Sequence, residues 1–194
     1  MFRKLFLIFI FIIHQTWAIE PPPTVKQVDL NKYVGLWYEV ASIPQFFQRK
    51  CSSNTTAQYT LLDTGLIKVD NSCDTKDGER SSAEGRAKVV DAQSNSKLKV
   101  TFVKFIGWIF KFGGDYWILD LASDYSYAIV GDSKREYAWV LSRTPDLSLE
   151  QLKKINDKFI ELGYDTSLIL TSIQKNGFSE RKPLNNLFIS SVDK

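Results

Sequence analysis

Asn31-Lys32-Tyr33-Val34-Gly35-Leu36-Trp37-Tyr38-Glu39 is the stretch on which the reading of this chain turns. A Gly-x-Trp triplet opens the first strand-like run of the sequence. Alone the triplet says little. Asp124-Tyr125 and Arg143 stand further along a series of short strand-like runs, and the three have to be read together.

Upstream, Arg3 and Lys4 form a basic start, residues 5–13 are uninterrupted apolar, and Thr16-Trp17-Ala18 places small residues where a signal peptidase reads. These features predict a secretory leader over 1–18, cut after Ala18; the apolar run is short for a membrane span, the alternative being a retained anchor. No cysteine lies near the cut, so the expectation is an exported protein, periplasmic or secreted and soluble, without a lipoprotein anchor cysteine. Loss of Arg3 and Lys4 lowers the formal charge of +3 by two, and so weak a balance predicts no nucleic-acid partner. The one histidine, His14, falls in the leader. The remaining chain cannot run Ser-His-Asp or Cys-His chemistry or build a histidine metal site. No catalytic residue, metal or cofactor is expected. Cys51 and Cys73, an even pair in an exported chain, read as a disulfide; a free reactive thiol is the alternative.

Downstream of a Pro-rich lead-in at 19–28, read as extended and mobile, apolar and polar residues alternate in short runs. Strands are predicted at about 36–43, 53–61, 66–71, 81–90, 97–103, 116–122, 126–131 and 137–143. In the run 81–90, Ala83, Gly85, Ala87 and Val89 alternate with Glu84, Arg86 and Lys88. The runs 116–122 and 126–131 are apolar on both sides, so something must cover them. Residues 145–163 supply the cover as one amphipathic helix: Ser148 and Gln151 make a capping box, Leu152, Ile155, Phe159 and Leu162 an apolar stripe, and Gly163 a terminator. A last strand is expected at 168–174. The pattern predicts an all-β domain over 29–176: an eight-stranded antiparallel up-and-down barrel with one C-terminal flanking helix, a flattened sandwich being the alternative. The tail, 177–194, reads as disordered, although Arg181, Lys182, Leu184, Leu187, Phe188 and Ile189 would let it dock.

Gly35-Leu36-Trp37-Tyr38-Glu39-Val40, the segment 119–128 around Asp124-Tyr125, and Trp139-Val140-Leu141-Ser142-Arg143-Thr144-Pro145 resemble, in order and spacing, the three signature regions of the lipocalins. The likeness runs from about residue 29 to 174 and is strongest to bacterial lipocalins and apolipoprotein D, helped by Ile43-Pro44-Gln45-Phe46-Phe47-Gln48, Ala57-Gln58-Tyr59-Thr60-Leu61 and Gly163-Tyr164-Asp165. The resemblance implies a barrel open at one end, carrying fatty acids, lysophospholipids or similar small hydrophobic ligands.

Up-and-down topology puts Gly35, Trp37, Asp124, Tyr125 and Arg143 at one end, the structural base, where Arg143 can stack on the Trp37 indole. Cys51 and Cys73 fall at the other end, close enough across paired strands to be bridged. The expected mouth carries Phe46, Phe47 and the loop 104–112, an apolar lip with Trp108 and Phe110 between Lys104 and Lys111, suited to transient membrane contact; extension of the flanking strands would instead bury these side chains. The inward wall is read as Ala57, Tyr59, Ala83, Gly85, Ala87, Leu98, Val100 and Phe102, with Tyr116, Tyr137 and Trp139 joining the ligand site, and a tyrosine hydroxyl or a lysine at the mouth holding the head group. The leading expectation is a non-catalytic carrier, monomeric or weakly dimeric. The alternatives are a lipocalin-type isomerase using a free cysteine and an interaction module acting through its mouth loops.

Overall fold

The computed structural model describes residues 20–189; the expected leader lies outside them. Five strands come first: β1 (Gly35–Ser42), β2 (Cys51–Leu61), β3 (Ile67–Thr75), β4 (Arg80–Val89) and β5 (Lys97–Thr101). A small separate hairpin follows, β6 (Lys104–Phe105) and β7 (Gly107–Trp108), and then β8 (Gly114–Leu121), β9 (Tyr127–Gly131) and β10 (Ala138–Ser142). Each main strand pairs antiparallel with the one before it, and β10 returns to β1, with Tyr38 opposite Ser142 and Ser42 opposite Trp139. That pairing closes an eight-stranded barrel and rules out the sandwich. Closure leaves no long unpaired edge between the first and last strands.

A one-turn helix, α1 (Leu30–Tyr33), precedes β1, capped by the Asp29 carboxylate on the Asn31 amide. The main helix, α2 (Leu149–Glu161), is shorter than its predicted span but has the predicted start. Ser148 and Gln151 cap each other's backbone amides there, in the reciprocal arrangement that satisfies two orphan donors. Gly163 follows the helix at φ +79°, a conformation a side chain would strain.

Two apolar clusters hold the molecule together. One fills the barrel, with Trp37, Tyr59, Val69, Leu98, Ile118 and Val130 among its members. The other lies outside, where Leu152, Ile155, Phe159 and Leu162 of α2 pack on Val40, Leu119, Ile129 and Val140. This accounts for the strands that are apolar on both sides: Val130 points into the barrel while Ile129, its neighbour, meets the helix. A final short strand, β11 (Leu170–Thr171), pairs with the outer half of β1 at Ala41 and Ser42. It is shorter than expected, but Ser172 still donates its amide to the Val40 carbonyl.

Both flanking segments depart from expectation. The lead-in is packed rather than mobile: the Val25 amide donates to the Ile118 carbonyl, the Val28 amide to the Ser94 carbonyl, and Val28 is fully buried. The tail is ordered through residue 189 rather than disordered. Leu184 is fully buried in the outer cluster, Phe178, Leu187 and Phe188 pack against it, and the Thr171 amide donates a hydrogen bond to the Lys182 carbonyl as the chain returns. The reason is the same for both. Each segment covers apolar surface that the strands and α2 leave exposed, and each does so in an irregular conformation with no periodicity to reveal it.

Cys51 and Cys73 form a disulfide with Cα atoms 5.5 Å apart. It ties β2 to β3 at the end remote from their connecting turn. A cross-link between residues 22 apart in sequence stabilises by roughly 3 kcal/mol through the unfolded state. The double substitution Cys51→Ala/Cys73→Ala is therefore expected to lower the urea midpoint by about 1 M or more; an unchanged midpoint would mean that the bridge constrains nothing.

Candidate ligand-binding cavity

One end of the barrel is shut by a stack built on β1. The Trp37 indole is fully buried and donates its Nε1–H to the Tyr33 carbonyl at 2.8 Å. The Arg143 guanidinium lies 3.7 Å from the centre of its ring. From there it donates to the carbonyls of Lys32 and Leu36 (each 2.7 Å) and of Tyr33 and Val34 (each 3.1 Å). Those carbonyls belong to α1, the turn after it and the start of β1, so one planar cation satisfies four backbone acceptors at once. Gly35 makes room for it. Its φ is +103°, and a Cβ there would meet Arg143 Nη1 at 3.2 Å. Tyr125, itself at φ +61°, accepts the Asp29 amide on its hydroxyl at 3.0 Å. Asp124 accepts the Ser126 amide, and bonding to Ser126 holds its carboxyl below the usual range.

Above this floor is a small apolar cavity, partly open to solvent. Tyr33, Val34, Tyr59, Ile67, Val69, Ala87, Leu98, Val100 and Tyr116 line it. Its walls follow from the pleat: Ile67 and Val69 on β3 face Ala87 on β4, and Leu98 and Val100 on β5 come next, every second residue turning inward. The small Ala87 between larger neighbours keeps the space open. The hydroxyls of its three tyrosines turn to one another, Tyr116 bonding Tyr33 at 2.8 Å and Tyr59 at 3.1 Å, and leave the cavity surface apolar.

Of the residues expected at the ligand site, Tyr59, Ala87 and Tyr116 line this cavity. Trp139 packs on the same inner cluster. It begins an aromatic stair: Tyr137 stacks on Trp139 at 5.8 Å, Phe47 on Tyr137 at 6.5 Å, and Phe46 meets Phe47 edge-on at 5.4 Å. The stair climbs to a rim where Phe46 and Phe47 are exposed. Phe102 lies over Gly85, where a Cβ would come within 2.9 Å of its ring.

Trp108 and Phe110 lie elsewhere than the lip. Arg86 sits over the Trp108 ring at 4.6 Å and Lys88 over the Phe110 ring at 5.1 Å. Arg86 and Lys88 alternate with the inward Gly85 and Ala87, so both rings lie on the outer wall of the barrel. Cation–π attraction of roughly 0.5–2 kcal/mol per pair explains the displacement. What the hairpin leaves in solvent is its turn: Phe105 is 81% and Ile106 92% exposed. Strand alternation missed Tyr33 and Val34, which lie ahead of the first strand; Ile67 and Val69 had the alternation that could have found them.

The geometry and the three signature segments coincide with a family whose model, the lipocalin-like domain, matches residues 28–174. The chain belongs to the lipocalin family. Members of that family typically bind small hydrophobic ligands. This lipocalin is 39% identical over 165 residues to temperature-induced lipocalin-1 of Arabidopsis thaliana, covering 84% of this chain and 86% of the plant protein. It is 36% identical over 177 residues to the outer membrane lipoprotein Blc of Vibrio cholerae, covering 87% and 96%. Among solved structures, insecticyanin of the tobacco hornworm Manduca sexta superposes with a TM-score of 0.63 at 21% identity, covering 86% of this chain and 93% of that one, a likeness of fold.

The cavity tyrosines carry a pH signature. Burial raises the Tyr33 and Tyr116 hydroxyls well above the ordinary tyrosine range and pushes Tyr59 up to about 12. The folded state therefore favours the neutral phenol. Its contribution is complete below the unfolded-state pKa near 10 and is lost as pH rises through 12. For Tyr59 alone that is roughly 2–3 kcal/mol. A tyrosinate absorbance titration is expected to show the buried hydroxyls ionising together in a cooperative step as the barrel opens. A smooth single titration of all eight tyrosines near pH 10, with circular dichroism unchanged, would contradict the buried cluster.

Proposed function

We propose that this lipocalin is an exported, non-catalytic carrier that holds one small amphiphile, a fatty acid, lysophospholipid or close analogue, in the barrel. The observation that carries the proposal is the apolar cavity above the Trp37–Arg143 floor of the barrel. Apolar burial at roughly 25 cal/mol per Å² supplies the affinity. The leader-like residues 1–18 support export, to a periplasm or to the outside, and lipid transport or storage at a cell envelope fits such a site. Both cysteines are consumed in the disulfide, so an isomerase dependent on a free thiol has no nucleophile. Titration with a fluorescent fatty acid is expected to saturate at one ligand per chain and to be reversed by oleic acid. Absence of saturable binding would defeat the proposal.

Membrane contact is supported by the hairpin turn. Phe105 and Ile106 project fully into solvent beside Lys104, the combination that favours an anionic lipid surface. Burying two large side chains is worth roughly 1.5–3 kcal/mol each. Phe105→Ser/Ile106→Ser should weaken binding to anionic vesicles at least tenfold, as measured by cosedimentation. Trp108→Ser should matter much less, because Arg86 already covers that ring. Equal binding by the hairpin-turn variant and the unaltered protein would remove the membrane reading.

A further inference from the structure

The outer wall made by β4, β5 and the hairpin folded back over them carries more positive charge than it neutralises. Lys88 on β4 stands directly opposite Lys99 on β5, a like-charge pair that destabilises an antiparallel ladder. Lys97 follows on the same face, over the Trp117 ring at 4.2 Å, and the exposed Lys104 and Lys111 flank the hairpin. The acids of this wall are already taken: Glu84 by Arg86 and Lys68, and Asp115 by Lys99. Asp91 turns to Ser94. Among the described residues, Lys88, Lys97, Lys104 and Lys111 pair with no carboxylate. Apolar side chains interrupt the same surface. Val90, outward like Lys88, is 54% exposed, and Phe112, beside Lys111, is 68% exposed. Unmatched cations mixed with exposed apolar side chains suit an anionic lipid surface, whose phosphates take the charge and whose acyl boundary takes the rest.

We propose that this wall is the face on which the protein lies against an anionic bilayer, with Phe105 and Ile106 as its inserted edge. The inference rests on the membrane-contact reading of the hairpin turn and adds a face and an orientation to it. The barrel lies on its side instead of standing mouth first on the Phe46–Phe47 rim. Lysine stems rest their methylenes on apolar surface while the ammonium groups reach the phosphate layer. Each cation near such a surface is worth about fivefold in affinity. The helix α2 covers a different side of the barrel, over β1, β8, β9 and β10. Its lysines are matched there, Lys153 to Asp157, Lys154 to Glu150 and Lys158 to Glu161, so that side offers lipid little net charge.

The test is cosedimentation with phosphatidylcholine vesicles containing phosphatidylglycerol. It compares the unaltered protein with Lys88→Gln/Lys97→Gln/Lys111→Gln on the wall and Lys153→Gln/Lys154→Gln/Lys158→Gln on α2, all with the same N-terminus. Both variants lose the same charge, from different sides. The wall variant is expected to bind at least about tenfold more weakly, and the helix variant to stay within about twofold of the unaltered protein. An unchanged wall variant, or equal losses in the two variants, would overturn the assignment of the face. A loss in Phe46→Ser/Phe47→Ser as large as that in Phe105→Ser/Ile106→Ser would put the mouth on the lipid and overturn the orientation. Binding that Phe105→Ser/Ile106→Ser abolishes while the wall variant keeps it would leave the membrane reading standing and remove the wall from it. An unaltered protein that ignores anionic vesicles would defeat the membrane reading itself. Should the wall variant not fold, salt answers with the unaltered protein. Raising sodium chloride from about 50 to 500 mM is expected to weaken its binding at least about tenfold, and binding insensitive to salt would overturn the proposal.

Discussion

Trp37→Ala is expected to destabilise the domain by about 3–5 kcal/mol, the usual cost of emptying a fully buried aromatic site. In a domain of this size the melting temperature should fall by roughly 10 °C or more. The cost is high because the indole supports more than its own volume. It anchors the Tyr33 carbonyl through Nε1 and carries the Arg143 guanidinium on its face. Arg143→Ala takes a donor from four carbonyls, of which that of Tyr33 keeps Trp37 Nε1, and should also destabilise. The two substitutions together should cost less than their sum, by roughly the 0.5–2 kcal/mol attributable to the stack. Strict additivity in calorimetry would mean that the stack contributes nothing. A loss below about 1 kcal/mol for Trp37→Ala would mean that the end of the barrel is held by something else.

The second large effect concerns binding. Ala87→Phe places a ring in the cavity between Ile67 and Val100, where Ala87 is buried at 3% exposure. The ring displaces ligand carbon whose burial is worth roughly 1.5–3 kcal/mol, so fatty-acid affinity should fall about 10- to 100-fold. Overpacking should cost the fold about 1–3 kcal/mol, leaving it folded at room temperature. Val90→Phe, on an exposed neighbour in the same chain segment, should leave affinity unchanged. Similar affinity in Ala87→Phe and the unaltered protein would place the ligand outside this cavity.

What the sequence made legible follows from how local each physical demand is. Gly35, Trp37 and Arg143 belong to one compact arrangement with a strict steric requirement, and that requirement is written in two short segments. The capping box at Ser148 and Gln151 is equally local. Ala87, Leu98 and Val100 were readable because strands β4 and β5 alternate cleanly. The remainder depends on contacts between distant segments. Trp108 and Phe110 sit in a hairpin whose direction is set by Arg86 and Lys88, more than fifteen residues away in sequence. Nothing in the loop itself says that these cations will draw the rings onto the outer wall. Tyr33 enters the cavity from a one-turn helix, outside any strand pattern. The tail carries Leu184, Leu187 and Phe188 in and just after one short 3-10 turn, so only the finished surface beneath them shows why they are apolar.

Native mass spectrometry of the protein after loading with a fatty-acid mixture tests the carrier reading most directly. The structure predicts one bound amphiphile per chain in the unaltered protein and little or none in Ala87→Phe. A protein that repeatedly stays unloaded, or an Ala87→Phe variant that loads as fully as the unaltered chain, would contradict a carrier whose ligand lies in the barrel.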